Sequence, residues 1–441
     1  MRSFHSILLT FFGFMSVVAI GVFSFAPSRG DQKIIGASGN AVIWGTFDLT
    51  PAAQNVIVNF NAAYQKSFSV TYEYHDPENF DNDIVEALAS GKGPDVLLLP
   101  DDLILRHIDK IELIPYTSFP PDVFQASFVQ AAEIYMRDQG LVALPFVLDP
   151  MVMYWNRDMF NNASVIAPPR YWDELLLLAP KLTKRNPKTF EVTESAIAFG
   201  EYVNVEHAKD VLALLFLQVG NPIVALKNGK PRAMLMGGDE SKLTPSEDVL
   251  SSLRFFMDFS NPQKSNFTWN RSRANSLNEF IDGNLAMHLD YASAYTRIKE
   301  KNPHLNFSVT QVPLLRETSA EITFTKIHGL AVMKSSKNKS TAFVVVQRLL
   351  TDADPAKDFA AAFDLPPVTR KPLAARPTDA ALAAFYDAAI RGRTWLDPRP
   401  SLSDEAFRNM VESVSSGRSN ISDAVNGLHH ALNAMLRPYQ Q

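Results

Sequence analysis

The sequence predicts an α/β protein of two lobes, each built on a mainly parallel sheet covered by helices on both faces. Segments typical of strands and helices alternate from Ala41 onwards, which favours parallel strands joined by helical connections. PDVLLLP (94–100) is apolar almost throughout, as a strand buried on both faces requires. The 441 residues exceed one ordinary hydrophobic core.

The first elements follow from hydrophobic periodicity and turn chemistry. AVIWGTF (41–47) predicts a strand, and the helix after it would be capped by Thr50 and would begin at Pro51. FSVTYEYH (68–75) alternates as a strand does, and NDIVEALASGKG (82–93) predicts a helix that ends at glycine. Together with PDVLLLP these segments predict the first parallel sheet.

The segment LPFVLDPMVMY (144–154) predicts an extended crossing between the lobes, because it is apolar and two prolines stiffen it. The polar residues at 156–158 would end this strand and cap the next helix. A return crossing is expected at 307–313. The predicted division is then given by these ranges: 38–147 plus 311–335 for the N-terminal lobe, 151–307 plus 338–441 for the C-terminal lobe, and hinge crossings near 145–154 and 307–313.

Helical patterns predominate after the crossing. PPRYWDELLLLAPKL (168–182) has a proline entry, and KDVLALLFLQVG (209–220) ends at glycine. PSEDVLSSLRFFMDFS (245–260) begins with a serine and two acids, which suit the start of a helix. NLAMHLDYASAY (284–295) predicts a strand that runs into a helix, and ISDAVNGLHHALNAML (421–436) is the clearest amphipathic helix.

The first thirty residues (1–30) form a separate hydrophobic segment. Ile7 to Phe25 contains no formally charged residue and is long enough to span a bilayer or to serve as an export signal. Pro27 disfavours signal-peptide cleavage just before it, and the long apolar run favours an uncleaved transmembrane anchor. A removed signal peptide and a buried helix of the folded domain are the alternatives. Either outcome predicts an extracytoplasmic protein of the cell envelope.

Composition excludes several classes. A net charge of −5 without concentrated basic residues gives no reason to expect nucleic acid as a partner. The absence of cysteine rules out disulfides, thiolate metal sites and a lipid-anchored cysteine. No phosphate loop, zinc-protease helix or nucleophile elbow occurs, so no cofactor, metal or enzymatic activity is expected. A glycosidase with two distant carboxylates stays open as an alternative.

Several motifs resemble one family in order and spacing: the bacterial extracellular solute-binding proteins (family 1) of carbohydrate ABC transporters, the maltose-binding-protein-like group. The motifs in this chain are GKGPDVLLLP, ALPFVLDPMVMYWNRDMF, PPRYWDELLLLAPKL, FIDGNLAMHLDYASAY, VTQVPLL and LPPVTRKP. The resemblance spans about Gly39 to Leu436. Tyr171 stands where the family usually has threonine, and Ile327-His328-Gly329 replaces a common Gly-Gly.

The resemblance implies a periplasmic-binding-protein-like (class II) fold, in which two lobes close on a hinge over a solute. It implies a sugar or oligosaccharide as that solute and the permease subunits of an ABC transporter as partners. A membrane-tethered sensing module of the same fold is the alternative role. The identity of the solute does not carry over, because ligand residues vary across the family.

Candidate ligand residues lie where strands end, since open α/β sheets bind ligands at the carboxyl ends of their strands. A sugar site combines polar side chains for hydroxyl groups with aromatic rings for C–H faces. Tyr291 is the single best candidate, while a core role competes for Trp44, and helix capping competes for Asp101 and its neighbour Asp102. The predicted ligand residues are Trp44, Phe47, Asp48, Asp101, Phe146, Asp149, Asp290, Tyr291, Tyr295, His328 and Trp395.

Overall fold

A computed structural model describes residues 37–237, 244–316, 320–352 and 355–440. The apolar segment Ile7 to Phe25, predicted above to be an anchor or export signal, lies outside these described residues. Within the described ranges, no helix has both the length and the apolar character needed to cross a membrane.

The described helices are of very unequal length. In chain order the α-helices are α1 Pro51–Tyr64, α2 Phe80–Ala89, α3 Ile104–His107, α4 Pro121–Ser127, α5 Arg157–Asn162, α6 Trp172–Leu182, α7 Ala208–Gln218, α8 Glu247–Asp258, α9 Ser276–Ile281, α10 Ala294–Lys301, α11 Lys339–Thr351, α12 Pro355–Ala361, α13 Arg370–Leu373, α14 Ala380–Arg391, α15 Pro400–Ser415 and α16 Ile421–Leu436. Short 3₁₀ turns are Asp101–Leu103, Ile108–Lys110, Gln130–Tyr135 and Arg437–Tyr439.

The strands are mostly short, with one long exception. They are β1 Gly39–Gly45, β2 Phe68–Tyr74, β3 Val96–Pro100, β4 Met136–Arg137, β5 Gly140–Leu141, β6 Leu144–Asn156, β7 Lys184–Arg185, β8 Val192–Ile197, β9 Val224–Lys227, β10 Lys230–Ala233, β11 Leu285–Tyr291, β12 Phe307–Thr310, β13 Thr323–Val332 and β14 Gly392–Arg393.

The main sheet runs in the order β2-β1-β3-β13-β6-β11-β8-β7, with β12 also paired to β6 and β14 to β13. β1 pairs in parallel with β2 and β3, as the alternation of strands and helices predicts. β8 and β11 are likewise parallel. β13 runs antiparallel between β3 and β6, and β11 is antiparallel to β6. The parallel groups β2-β1-β3 and β11-β8 therefore flank an antiparallel middle, and the short edge strand β7 pairs antiparallel with β8.

The thirteen-residue strand β6 joins two groups of strands, which accounts for the predicted crossing. The first group is β2, β1, β3 and β13, and the second is β11, β8, β7 and β12. Its first half pairs with β13 from Leu144 to Pro150. Its second half pairs with β11 from Met151 to Trp155 and also with β12. The strand is buried almost throughout, because strands pair along both of its edges and the helices α12 and α14 pack against it. A single continuous strand therefore connects the two sheet halves.

Two helices of the later chain, α11 and α12, pack against elements of the first part of the fold. Lys339–Thr351 (α11) packs against β1 and β13, and Pro355–Ala361 (α12) packs against α1 and β6. The sequence-based division placed both helices in the C-terminal lobe. Because β13 leads into α11 through a short turn, the helix lies against the sheet it has just left. α15 and α16 instead pack on each other and on α8. The limits of the lobes stay a prediction.

Two predicted helix starts are confirmed. The Thr50 hydroxyl accepts a hydrogen bond from the Ala53 N–H at 3.1 Å, and Pro51 opens α1. The Asn156 side chain, at the end of β6, accepts from two N–H groups of α5, those of Asp158 and Met159, both at 3.0 Å. The polar triplet therefore ends the crossing strand and caps the following helix, as its composition predicts.

Candidate functional site

A cavity of about 480 Å³ opens between the two groups of strands. One wall comes from the ends of β3 and β13, and the other from the segment that leads into α7 and from the start of α15. Most of its described lining is polar or charged. The lining residues are Asp102, Tyr202, Val203, Val205, Glu206, His207, Ala208, Lys209, Asp210, Asn275, Lys326, Pro400, Asp404 and Arg408.

Two adjacent aspartates follow β3 at its carboxyl end, and the fold gives them different roles. Asp101 is buried and accepts hydrogen bonds from the Ile327 N–H at 3.0 Å and from the Thr394 hydroxyl. Burial, reinforced by the neighbouring Asp102, raises the pKa of Asp101 to about 7. Asp102 lines the cavity, and burial raises its pKa as well. The sequence favoured Asp101 for the ligand, whereas Asp102 faces the cavity.

The opposite wall is the amino-terminal end of α7. His207 precedes the helix in a left-handed conformation, with φ of 53°, and its Nε2 lies 3.1 Å from Asp290. Burial opposes protonation of this imidazole, but the attraction of Asp290 outweighs burial and raises the pKa of His207. Lys209 donates to Asp397 at 2.9 Å and to the Ser403 hydroxyl at 3.3 Å. The start of α7 thus places the His207 imidazole and the Lys209 ammonium near Asp210.

Asp290 and Tyr291 end strand β11, behind that wall. Burial opposes ionisation of Asp290, but the charge of His207 and hydrogen bonds from His207 and His288 outweigh it and hold the pKa of Asp290 far below its usual value. The Tyr291 hydroxyl donates to Asp210 at 2.6 Å. Both side chains are almost fully buried. The best sequence candidate, Tyr291, is therefore held by a charge-assisted hydrogen bond.

Lys326 on β13 faces α7 across the cavity. Its ammonium lies 3.9 Å from the Asp210 carboxylate and 4.7 Å from the centre of the Tyr291 ring. Burial opposes this charge, but the attraction of Asp210 and Asp102 outweighs burial and raises the pKa of Lys326. Because Lys326 and Asp210 belong to opposite walls, this pair joins the two walls of the cavity.

The aromatic candidates at the end of β1, Trp44 within the strand and Phe47 just after it, have protein partners. The Trp44 indole N–H donates to Glu73 at 2.6 Å, and its ring lies 4.0 Å from that of His75. Phe47 contacts the His328 ring edge-on at 4.9 Å. His328 is buried, and its Nδ1 has no hydrogen-bond partner within the described chain. Burial lowers the pKa of His328 to about 3.

The remaining aromatic candidates also pack within the protein. Phe146 is buried against Phe359, with ring centres 5.1 Å apart. Trp395 is buried against Phe407 at 6.0 Å, and Tyr295 contacts two phenylalanine rings. None of the predicted aromatic residues belongs to the cavity lining given above. Their contact with a solute stays a prediction.

Two further carboxylates were predicted. Asp48 is exposed just after β1. Asp149, in the middle of β6, accepts a hydrogen bond from the Ser293 N–H at 3.1 Å, and burial raises its pKa to about 6. The structure therefore brings four predicted residues close to the cavity lining: one precedes Asp102 in the chain, one is the strand partner of Lys326, and two contact His207 or Asp210. These four are Asp101, Asp149, Asp290 and Tyr291.

Sequence reasoning missed most of the residues that line the cavity. His207, Lys209 and Asp210 occur as HAKD at the start of the helix KDVLALLFLQVG, a position from which side chains face the strand ends. Lys326 is the one formally charged residue in TFTKIHGLAV, and a lone charge in an otherwise buried strand was a detectable signal. No local sequence signal predicted the contact of Lys326 with α7, because that contact is made only in the tertiary structure.

Two strand groups joined by a continuous strand, with a polar cavity at their facing ends, define the class of hinged solute-binding proteins. The family comparison agrees: the profile described as bacterial extracellular solute-binding protein matches residues 55–384. The chain belongs to this family, which confirms the resemblance predicted from its motifs. Membership of this extracellular family places the protein outside the cytoplasm.

Solved structures with low sequence identity share the fold. The cyclic alpha-maltosyl-1,6-maltose binding protein from Arthrobacter globiformis has a TM-score of 0.74 at 16% identity, over 91% of this chain and all of that one. A cyclo/maltodextrin-binding protein complexed with maltotetraose gives 0.71 at 15% identity, over 94% of this chain and all of that one. An ABC transporter solute binding protein from Thermotoga lettingae TMO, bound with alpha-D-tagatose, gives 0.68 at 19% identity, over 90% and 100%. The predicted two-lobed α/β fold is confirmed.

A curated relative from Brucella abortus (strain 2308) is 23% identical over 266 residues. The matched region covers 59% of this chain, and the chain spans only 59% of that relative's length.

Proposed function

We propose that this protein is the extracytoplasmic receptor of an ABC importer, which binds a carbohydrate in the cavity between its lobes and presents it to the permease. The observation that carries the proposal is the 480 Å³ cavity at the facing strand ends, lined by groups from both sides. Family membership supports it, and so do the sugars named with three structures of the same fold.

The geometry supports binding by closure. Asp102 and Lys326 approach the solute from one wall, while His207 and Asp210 approach from the other. A solute that bonds to both walls stabilises the closed state over the open one, since only the closed state makes both sets of contacts. The continuous strand β6 passes between the lobes beside this cavity and is the proposed hinge.

The proposal gives the protein no catalytic role. Its known relatives of the same fold are named as binding proteins. Incubation with chromogenic glycosides tests this point directly, because release of the chromophore would establish a glycosidase.

Titration with a saccharide panel tests the receptor role, read by calorimetry and by thermal unfolding. A solute at one hundred times its Kd stabilises the native state by about 2.7 kcal/mol, which raises Tm by several degrees. Small-angle scattering should show a smaller radius of gyration on binding. If no saccharide shifts Tm or compacts the protein, the receptor proposal is wrong.

We also propose that the apolar segment Ile7 to Phe25 directs export and then anchors the protein in the membrane. The proposal rests on its length and lack of charge. Amino-terminal sequencing of protein from membranes tests it: an intact amino terminus agrees with an anchor, and a start near residue 27 indicates a cleaved signal peptide.

A further inference from the structure

The end of the first group of strands that lies away from the cavity carries a cluster of lysines. At this end β1, β2 and β3 begin and β13 ends, whereas the cavity lies where β3 ends and β13 begins. The connections at this end are residues 65–67, 90–95, 108–112 and 333–339. Their six lysines, which we call the basic face, are Lys66, Lys92, Lys110, Lys334, Lys337 and Lys339. The same connections contain three acids: Asp95, Asp109 and Glu112.

Backbone contacts join these connections into one surface. The Lys334 N–H donates to the carbonyl of Lys110 at 2.8 Å, which places two lysines of separate connections side by side. Gly93 lies against the Ser335 hydroxyl, since a Cβ on that glycine would stand 3.8 Å from it. Lys92, the neighbour of Gly93, therefore belongs to the same surface.

The three acids leave an excess of positive charge on this surface. Two lysine–acid pairs are present, with N–O distances of 3.4 and 2.8 Å: Lys110 with Asp109 and Lys339 with Glu112. The Lys334 ammonium donates to a backbone carbonyl at 3.0 Å and keeps its charge. Lys92 and Lys337 are exposed, and neither forms an ion pair within the described part of the chain. The chain as a whole carries a net charge of −5, so this excess opposes the average.

The opposite end of the same strands is acidic. The connections that follow β1 and β2, at 46–50 and 75–79, carry three formal charges, all negative and all exposed: Asp48, Asp76 and Glu78. The first group of strands therefore has a positive end and a negative end. A negatively charged surface attracts the first and repels the second.

The chain enters the fold at the basic face. The Ser38 N–H donates to the Thr341 hydroxyl at 3.1 Å, which fixes the start of β1 beside α11, the helix that begins at Lys339. About eleven residues separate Phe25, the end of the apolar segment, from Ala37, and they reach at most about 40 Å. A membrane anchor at 7–25 therefore holds the basic face within that distance of the bilayer.

We propose that the basic face docks on anionic phospholipid headgroups of the membrane that holds the anchor. This inference rests on the proposed anchor and goes beyond the receptor function. Anionic headgroups attract lysines that come within a screening length of about 8–10 Å. Docking in this orientation directs the cavity end of the strands away from the bilayer.

A fluorophore on a single introduced cysteine tests the contact in the full chain, which has no cysteine of its own. Ser335→Cys places the label on the basic face, and Ser401→Cys places it on α15, next to the cavity-lining Pro400; both serines are exposed. The protein is added to phosphatidylcholine vesicles, with or without phosphatidylglycerol, that carry a quencher on a lipid headgroup. With phosphatidylglycerol, the label at 335 should be quenched at least about twofold more than the label at 401. The difference should disappear in about 1 M salt, where the screening length is about 3 Å.

Matched charge variants identify the lysines responsible. Replacing the three basic-face lysines that have no acid partner among the described residues should abolish the extra quenching: Lys92→Gln, Lys334→Gln and Lys337→Gln together. The control removes the same charge at three exposed lysines elsewhere and should leave the quenching unchanged: Lys181→Gln, Lys188→Gln and Lys301→Gln together.

The outcomes separate docking from anchoring. Equal quenching of the two labels with phosphatidylglycerol overturns the docking inference, and so does extra quenching that survives high salt or the basic-face variant. Flotation of the same mixtures tests the anchor. Flotation with pure phosphatidylcholine vesicles supports the anchor, while flotation only with phosphatidylglycerol overturns the anchor and leaves docking to be decided by the quenching. Flotation with neither overturns both, and the saccharide titration of the receptor role is independent of all these results.

Discussion

Replacing Lys326 with methionine should destabilise the ligand-free protein, and more so as pH rises. Its ammonium lies 3.9 Å from Asp210. At an effective dielectric constant of about 20, that attraction is about 4 kcal/mol. Because 38% of the lysine side chain is exposed, solvent screening reduces the expected loss to about 2 kcal/mol near pH 8. Methionine keeps the unbranched stem, so packing changes little.

The pH dependence follows from the carboxylates whose ionised forms Lys326 stabilises. In wild type the raised pKa values of Asp101 and Asp149 already make the native state hold more protons than the unfolded chain. Removing the cation raises these two pKa values further, so the excess of protons in the native state extends to higher pH. Stability then falls more steeply as pH increases. The loss should therefore be about 1 kcal/mol near pH 4.5, where both acids are protonated in either variant.

Urea unfolding of wild type and Lys326→Met at both pH values measures this difference. Lys339→Met is the matched control, because Lys339 pairs with Glu112 at 2.8 Å and its side chain is 42% exposed. That isolated surface pair should contribute less than about 1 kcal/mol at either pH. A loss for Lys326→Met that equals the control, or that shrinks as pH rises, would refute the reasoning.

Three further changes have expected outcomes. Asp101→Asn should flatten the pH dependence of unfolding free energy between about pH 4 and 7, measured in urea, since a native pKa of about 7 against an ordinary 3.8 makes wild-type stability fall as pH rises through that window. Tyr291→Phe removes the hydrogen bond to Asp210 and should cost about 2 kcal/mol by the same assay. Asn156→Ala removes the cap of α5 and should lower stability by about 1–2 kcal/mol, seen as a lower Tm.

Local sequence signals predicted much of the fold. Thr50 and Pro51 start α1, and Asn156 starts α5, because capping depends on neighbouring backbone groups alone. The apolar strand PDVLLLP became a central strand of the sheet for a comparable reason, since hydrophobic continuity is a local property. The short hairpins β7–β8 and β9–β10 were not predicted, as their strands are brief and carry little periodicity.

The candidate site was predictable only in outline. Asp101, Asp290 and Tyr291 lie at the carboxyl ends of strands, near the cavity, and their contact with a solute stays a prediction. The aromatic rings were harder to place, because Trp395 and Phe146 found packing partners far along the chain. Whether a ring is a wall of a cavity or part of a core depends on which distant residues cover it.

By itself, the sequence determined the alternation of strands and helices, the extended crossing at 144–154 and the kinship that its motifs indicate. Tertiary structure decided which charges meet. It held Asp101 with neutral donors, left its neighbour Asp102 open to the cavity, and set Lys326 opposite Asp210. The physical reason is that periodicity and capping act over a few residues of chain, whereas the energy of a charge depends on distance through space and on burial.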